Sequence, residues 1–398
     1  MNKEHVAIVL GLFETGLGVI RSLGREGVKV IGLDSKIDIG TYSRYAKTRL
    51  CPDPINDEQA FIDYLIALSK EFDKKPALFV SADNYLFVVS ENREQLEPYY
   101  LMNFSPKEKI RAIADKYEQY KLAVACGIDV PYTFLPKSKA DISEAVQNLA
   151  FPLLMKALDV NIWRLKIGGS LKGFVIQSEE ELMERFDFCK ERDVDVIVQE
   201  IILGPDTNHF KFCGYVSKSG ELLRGFTLKK LRQNPIRFGV GTSVESIEHA
   251  ELMEVGKKFF KGIDYIGVGS AEFKKDERDG KLKLIELNPR YWQQNVHAQV
   301  CGMNFAWADY LELTGQEPKA SFEFKKGIKW VNIYSDFESY LDYKKEGELT
   351  FSEWRKSISG KKVWSDFAWD DMKPGFYEIE FGKRLIKIPF FLIKKLFK

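Results

Sequence analysis

The sequence predicts an α/β domain with a parallel sheet at the N-terminus, followed by an α+β region built on antiparallel sheets. Between His5 and Val80, apolar β-branched runs alternate with segments of helical period, the pattern of strand–helix–strand crossovers. From Phe151 onward the texture changes to short runs broken by glycines. Several of these alternate apolar and polar residues, as strands with one solvated or ligand-facing side do. A chain of 398 residues is also about 2.7 times a common domain length of about 150, which predicts two to four domains.

The elements follow in order. His5–Leu10 (HVAIVL) reads as a strand ending at glycine, residues 17–27 as a helix, and Val28–Leu33 as a second strand. A helical segment at 57–72 precedes a further strand at Ala77–Val80. Ser105 and Pro106 resemble an N-cap and first helical residue, opening a helical stretch to about Ala125 that Gly127 and Pro131 end. Strand-like runs then start at Phe151, Lys172, Asp195, Phe210, Leu222, Val268 and Lys281, with helices expected at 179–191 and 248–261. Four regions are expected: 1–103, 104–195, 196–318 and 319–398. The last is rich in aromatics and carries no recognisable catalytic spacing.

Composition narrows the function. Apolar residues at 45% and charged residues at 29% exclude disorder. Lys plus Arg (59) nearly cancel Asp plus Glu (58), which argues against a nucleic-acid binder. Five scattered cysteines without a CxxC fit a reducing compartment. No leader peptide and no apolar window long enough to span a bilayer is evident, so a cytoplasmic protein is expected. His5, His209, His249 and His297 show no ligand spacing, and there is no GxSxG, so covalent catalysis is not indicated.

The most informative segment is Gly269–Arg290, GSAEFKKDERDGKLKLIELNPR. Two runs flank the turn-forming Glu277–Gly280, which reads as a hairpin. The period of two places Leu282, Leu284, Glu286 and Asn288 on one face. A loop of odd length centred on Asp279 would set Glu272 opposite Glu286. Two carboxylates and an amide oxygen would then converge, and oxygen ligands suit Mg²⁺. A solvated strand face carrying two glutamates is the bland alternative.

This hairpin, its Ile-Glu-Leu-Asn-Pro-Arg and the following Gly-Met-Asn-Phe-Ala-Trp-Ala-Asp-Tyr resemble the metal-binding end of the ATP-grasp ligases. More narrowly, they resemble the carboxylate–amine ligase branch that includes D-aspartate ligase. Other parts of the family pattern occur in order: ADKYEQYKLAVACGIDVPYT (114–133), FPLLMKA (151–157), VIVQEIILGPD (196–206), and LKKLRQNP with FGVGTSVES (228–246). The resemblance covers about residues 5–318. It implies a pre-ATP-grasp, Rossmann-like domain followed by ATP-grasp domains. ATP and one or two Mg²⁺ ions, with Mn²⁺ able to substitute, are the implied cofactors. Small carboxylate and amine substrates are implied, with an amino acid or a cell-envelope precursor among the options, and a homodimer is compatible.

By the same resemblance, Lys116 and Lys156 would hold the phosphates, with Lys172 a weaker candidate. The backbone of Gln199–Ile202 (Gln199, Glu200, Ile201, Ile202) would read adenine, and Asp206 would take the ribose. Lys230 and Arg232, two apart on one strand and hence on one face, would meet the γ-phosphate or the acyl phosphate together with Arg290. Glu272, Glu286 and Asn288 would hold the metal. One segment departs from the family pattern: residues 158–173 have their glycines late and a tryptophan in the middle, so the lid's phosphate contacts do not carry over.

The loop Gly11–Gly18 follows a strand and precedes a helix, the geometry of an anion site, but it is not GxGxxG. Asp34 only faintly echoes a ribose-binding acid. Gly11, Glu14 and Thr15 are therefore candidates for substrate contact, with glycines that merely permit a tight turn as the alternative. The C-terminal stretch 383–398 carries six cations, large apolar residues and no acid, so peripheral membrane contact is open, as is docking on the protein. The expected activity is ATP-dependent amide formation through an acyl phosphate. A nucleotide-binding regulator without turnover, or an NAD-dependent oxidoreductase, are the other readings.

Overall fold

The computed structural model describes residues 3–147, 149–158, 160–168 and 173–380; Lys172 and the 383–398 stretch lie outside them. The chain builds three sheets. In the first, strands β1 (Ala7–Leu10), β2 (Val30–Asp34), β3 (Ala46–Leu50) and β4 (Ala77–Val80) run parallel in the order β3-β2-β1-β4. All four residues of β1 and of β4 are buried, as expected for strands covered on both faces.

The helix after β1 begins at Glu14 rather than near residue 17. Only Gly11 needs a left-handed backbone (φ 84°), whereas Gly16 and Gly18 lie inside the helix and serve close packing. A Cβ on Gly16 would sit 1.9 Å from the Gly11 carbonyl oxygen, and one on Gly18 would sit 2.3 Å from Asn295. Glu14 and Thr15 thereby occupy a buried first helical turn.

The helical stretch expected to run unbroken to Ala125 is two helices, Lys107–Ala114 and Lys116–Ala125. Ser105 is not the cap, because its hydroxyl pairs with the backbone of Ile266 instead. The break falls at Asp115, whose carboxylate accepts from the Tyr117 and Glu118 N–H groups and so restarts the helix. Lys116 becomes the first residue of that second helix.

The third sheet is antiparallel, with β5 (Thr133–Phe134), β6 (Leu153–Ala157), β7 (Gly173–Ile176) and β8 (Val196–Glu200) in the order β5-β8-β6-β7. Since β8 pairs with β5 and β6, the change of sheet falls after Glu200 and not at residue 195. The central sheet has seven strands: β9 (His209–Val216), β10 (Leu222–Asn234), β11 (Val240–Ser246), β12 (Gly267–Lys275), β13 (Leu282–Asn288), β14 (Lys329–Val331) and β15 (Lys362–Trp364). Their order is β13-β12-β9-β10-β11-β14-β15, so the region after Pro318 adds two strands to this sheet. No helix among the described residues is long and apolar enough to cross a membrane.

Candidate active site

The hairpin β12–β13 sets Glu272 directly opposite Glu286, by a different route from the one expected. Lys275 pairs with Leu282, so the connection 276–281 is even in length. A bulge at Ile285 then shifts the register between Phe273 and Glu272 and restores the glutamate pair. The bulged carbonyl of Ile285 accepts from the Tyr120 hydroxyl at 2.9 Å. Because of the bulge, Leu282 and Leu284 do not share the face of Glu286 as the period of two predicts, but pack into the core with Phe273 and Leu287. Lys283 takes their place on the polar side.

Facing carboxylates on neighbouring strands repel unless neutralised. Here each has its own ammonium. Lys116 donates to Glu286 at 2.8 Å, and Asn288 donates its amide N–H to the other oxygen at 2.7 Å. Lys230 is buried and bonded to Glu272, with Lys211 at 3.7 Å on the other side. The Lys116 charge, first of all, holds the half-buried Glu286 carboxyl far below the usual carboxylate range, although partial desolvation opposes it. Burial alone would raise Glu272, but Lys230 and Lys211 overrule it and keep it ionised. Burial and then the Lys116 charge push Lys156 down to about 7.

Among the described residues no three His, Cys, Asp or Glu side chains cluster closely enough to hold a metal. What Glu272, Glu286 and Asn288 offer instead is two carboxylates held ionised by their lysines and one amide oxygen. All-oxygen ligands of that charge fit Mg²⁺, which commonly takes one or two carboxylates and completes its shell with water and phosphate.

Other expected residues are placed differently. Lys230 and Arg232 do not share a face: Lys230 pairs with Val244 and Arg232 with the adjacent Ser243, so a bulge at Leu231 turns Arg232 over. Arg232 is buried against Asp336, which accepts from its Nε and Nη2 at 2.9 and 2.8 Å, and its Nη1 donates to Ser357. Arg290 is gripped in the same two-pronged way by Asp83, at 2.7 and 2.8 Å, at the start of the helix after β4. Glu200 spends its side chain on Lys283 (3.0 Å) and Arg278 (3.1 Å), while its N–H donates to the Tyr132 carbonyl. Gln199 donates to Thr133, the Ile201 carbonyl accepts from Arg278, and Ile202 is buried. Asp206 accepts from the Arg237 N–H and the Tyr343 hydroxyl through one oxygen, and its other oxygen is buried without a partner.

Around the first loop, Glu14 accepts from Gln293 and Asn332, and the Thr15 carbonyl accepts from Asn295 at 2.9 Å. A Cβ on Gly11 would lie 2.8 Å from Ser81. Asp34 is buried and engaged by the Leu12 N–H and the Tyr85 hydroxyl, so it anchors the loop rather than offering a ribose contact. His209 and His297, buried and pushed down to about 4, cap backbone carbonyls.

Lys211, Lys283, Asp83, Asp336, Asn332 and Tyr343 were not legible as site residues. Lys211 alone had a signal, a single lysine inside the apolar run Phe210–Val216, the same signature that marks Lys156.

No family model matches the chain. It is 23% identical over 323 residues to D-aspartate ligase of Enterococcus faecium (strain Aus0004), covering 77% of this chain and 76% of that protein. Among solved structures, N5-carboxyaminoimidazole synthetase from Staphylococcus aureus superposes with a TM-score of 0.63 at 19% identity, covering 81% of this chain and 82% of that one. The biotin carboxylase domain of the 2-oxoglutarate carboxylase of Hydrogenobacter thermophilus, solved with MgADP and bicarbonate, superposes with a TM-score of 0.62 at 17% identity, covering 82% and 73%. The three sheets and these likenesses show that the chain has the ATP-grasp fold and that its sequence is similar to that of D-aspartate ligase.

Proposed function

We propose that the protein is an ATP-dependent carboxylate–amine ligase. The observation that carries this reading is the Glu272–Glu286 pair, facing across one hairpin and ringed by Lys116, Lys156, Lys211 and Lys230. Phosphoryl transfer asks for positioned charge rather than for a protein nucleophile, and that is what this surface offers. In the proposed reaction a substrate carboxylate oxygen attacks the γ-phosphorus of ATP and ADP leaves. An amine then attacks the acyl phosphate, and phosphate leaves as the amide forms. Lys116, Lys156 and Lys230 bind and orient the phosphates. Glu272, Glu286 and Asn288 would hold Mg²⁺, which when bound neutralises phosphate charge. Arg290, fixed by Asp83, lies just beyond Asn288 and supplies a guanidinium for the acyl oxygen anion. Arg232, turned away, supports the sheet beneath. Gly11, Glu14 and Thr15 frame the substrate side, and Asp206, whose second oxygen is buried without a partner, is the proposed ribose contact.

The test is release of ADP and phosphate with Mg–ATP across a panel of amino acids and other carboxylates, paired with amines. The expected result is turnover for at least one pair. ATP binding that depends on Glu286 with no turnover for any pair would instead make the chain a regulator.

Lys156 gives a pH signature. With its proton lost near 7 in the free protein, and phosphate favouring the ammonium, nucleotide binding above pH 7 should take up a proton. Affinity should then fall with rising pH by up to about tenfold per unit. Calorimetry in buffers of differing ionisation heat measures the uptake, and Lys156→Arg should remove it because arginine stays charged. Equal heats for the wild type in all buffers would contradict the assignment. The sign for stability is the reverse of a paired lysine: the folded-state pKa lies below the unfolded one. The cost of the buried ammonium is therefore full below pH 7 and is relieved as pH rises toward about 10.4.

A further inference from the structure

Lys274 lies on β12 two residues beyond Glu272 and on the same face of the strand, while Phe273 between them packs into the core. It is nine-tenths buried. Across the sheet it stands opposite His209 of β9 on one side and Lys283 of β13 on the other. Basic side chains in one row need counter-charge or neutrality. Its neighbours have one or the other. His209, pushed down to about 4 by burial, is neutral at pH 7, and Lys283 bonds the Glu200 and Asp276 carboxylates at 3.0 and 2.8 Å. Lys211 and Lys230 share Glu272. Lys274 has no hydrogen bond and no ion pair among the described residues, so a buried ammonium stands without the partner its desolvation calls for.

The surroundings of that ammonium indicate what completes it. Asp206 opens the turn Asp206–Asn208 that leads into β9, and its carbonyl meets the His209 ring nitrogen at 3.1 Å. The Asn208 amide reaches the Lys275 carbonyl at 3.5 Å. The turn is thereby folded back beside Lys274, and the Asp206 carboxylate attracts the ammonium more than Asp276 or Glu277 does. Even so, the two are not bonded. One Asp206 oxygen accepts from the Arg237 N–H and the Tyr343 hydroxyl, and the other is buried without a partner. On the opposite flank, Lys283 ties this row to Glu200, in the segment expected to read adenine.

An unpartnered donor and an unpartnered acceptor, both buried, mark a place that a ligand completes. The chemistry there is selective. A phosphate oxygen suits the ammonium but is repelled by the carboxylate. A hydroxyl suits both, since it accepts from the one and donates to the other.

We propose that Lys274 is a nucleotide-binding residue whose ammonium, together with the Asp206 carboxylate, takes one ribose hydroxyl of the bound nucleotide. The hydroxyl donates to Asp206 and accepts from Lys274, so each buried group gains its partner. Lys274 thereby favours ribonucleotides over their deoxy forms. The assignment rests on the proposed ATP-dependent activity and adds to it a residue that the sequence did not single out.

The experiment is calorimetric titration of the full chain with the Mg²⁺ complexes of ATP, 2′-deoxy-ATP and 3′-deoxy-ATP, using wild type, Lys274→Met and Lys274→Gln. Wild type should bind ATP at least about tenfold more tightly than one of the two analogues. Lys274→Met should weaken ATP at least about tenfold but leave that analogue within about twofold, because lysine and hydroxyl belong to the same contact. Lys274→Gln, a donor without charge, should fall between. Without nucleotide, both variants should unfold no earlier than wild type, since each removes an unpaired buried charge. Unchanged ATP affinity in Lys274→Met would overturn the assignment and leave the ligase reading standing. So would a loss shared equally by ATP and both analogues, which would put the ammonium on a phosphate. Failure of the wild type to bind ATP at all would overturn the ligase reading, and this assignment with it.

Discussion

Glu286→Gln is expected to abolish turnover while leaving the fold intact. The side chain is 39% exposed, so a neutral amide of the same shape removes charge without opening a cavity. What is lost is half of the carboxylate pair and the partner that holds Lys116 in place. Removing one preorganised electrostatic group typically costs two to three orders of magnitude, and this residue is also expected to hold the metal. A loss of at least about a thousandfold in kcat follows. Thermal unfolding and steady-state ADP release measured on the same sample separate the two effects. Near-wild-type turnover would remove Glu286 from the chemistry.

The largest effect on stability is expected from Asp336→Ala. Asp336 is fully buried and accepts four bonds, two from Arg232, one from the Thr242 hydroxyl at 3.0 Å and one from the Trp354 indole at 2.8 Å. It ties β10 and β11 to two helices of the C-terminal region, Ile333–Lys345 and Phe351–Ser357. Removing it strands the Arg232 guanidinium in the interior, which costs about 3–5 kcal/mol. Denaturant titration should register that loss. Replacing both partners, as Arg232→Met with Asp336→Leu, should recover most of it, because a buried pair is often no better than apolar residues of similar volume. If the double variant is as unstable as the single one, the ion pair is not the source. If it regains stability but not turnover, the pair also sets the bulge that aims Lys230 at Glu272.

The contrast between these two residues explains what the sequence disclosed. Glu286 was legible because it stands between Leu284 and Leu287 and runs straight into Asn288-Pro289-Arg290, a local pattern that a merely solvated strand face does not require. Its partner Glu272 followed from pairing. The route to that pair was misjudged, since a bulge adds one residue without changing composition, and the period of two carries no mark of the extra Ile285. The same blindness put Lys230 and Arg232 on one face. Asp336 had no signal, because one acid in the Ile333–Lys345 helix reads as solvated until strand β14 carries that helix onto the sheet. Asp83 and Arg290 meet across 207 residues, a distance over which no local pattern reaches. The N-terminal parallel sheet was legible for the opposite reason: its signals are local, a run of apolar residues ending at Gly11 and a second ending at Asp34. Even there the start of the first helix was misplaced, because Gly16 and Gly18 read as a loop when their role is close packing.

The most direct measurement of the central claim is trapping with hydroxylamine. Incubated with Mg–ATP and a panel of carboxylates without amine, the protein should form an acyl phosphate that hydroxylamine converts to a hydroxamate. Hydroxamate and ADP should appear in equal amounts with a cognate carboxylate, and neither should appear with Glu286→Gln. ATP consumption that yields AMP and pyrophosphate, or ADP released without any hydroxamate across the panel, would contradict a carboxylate-activating ligase.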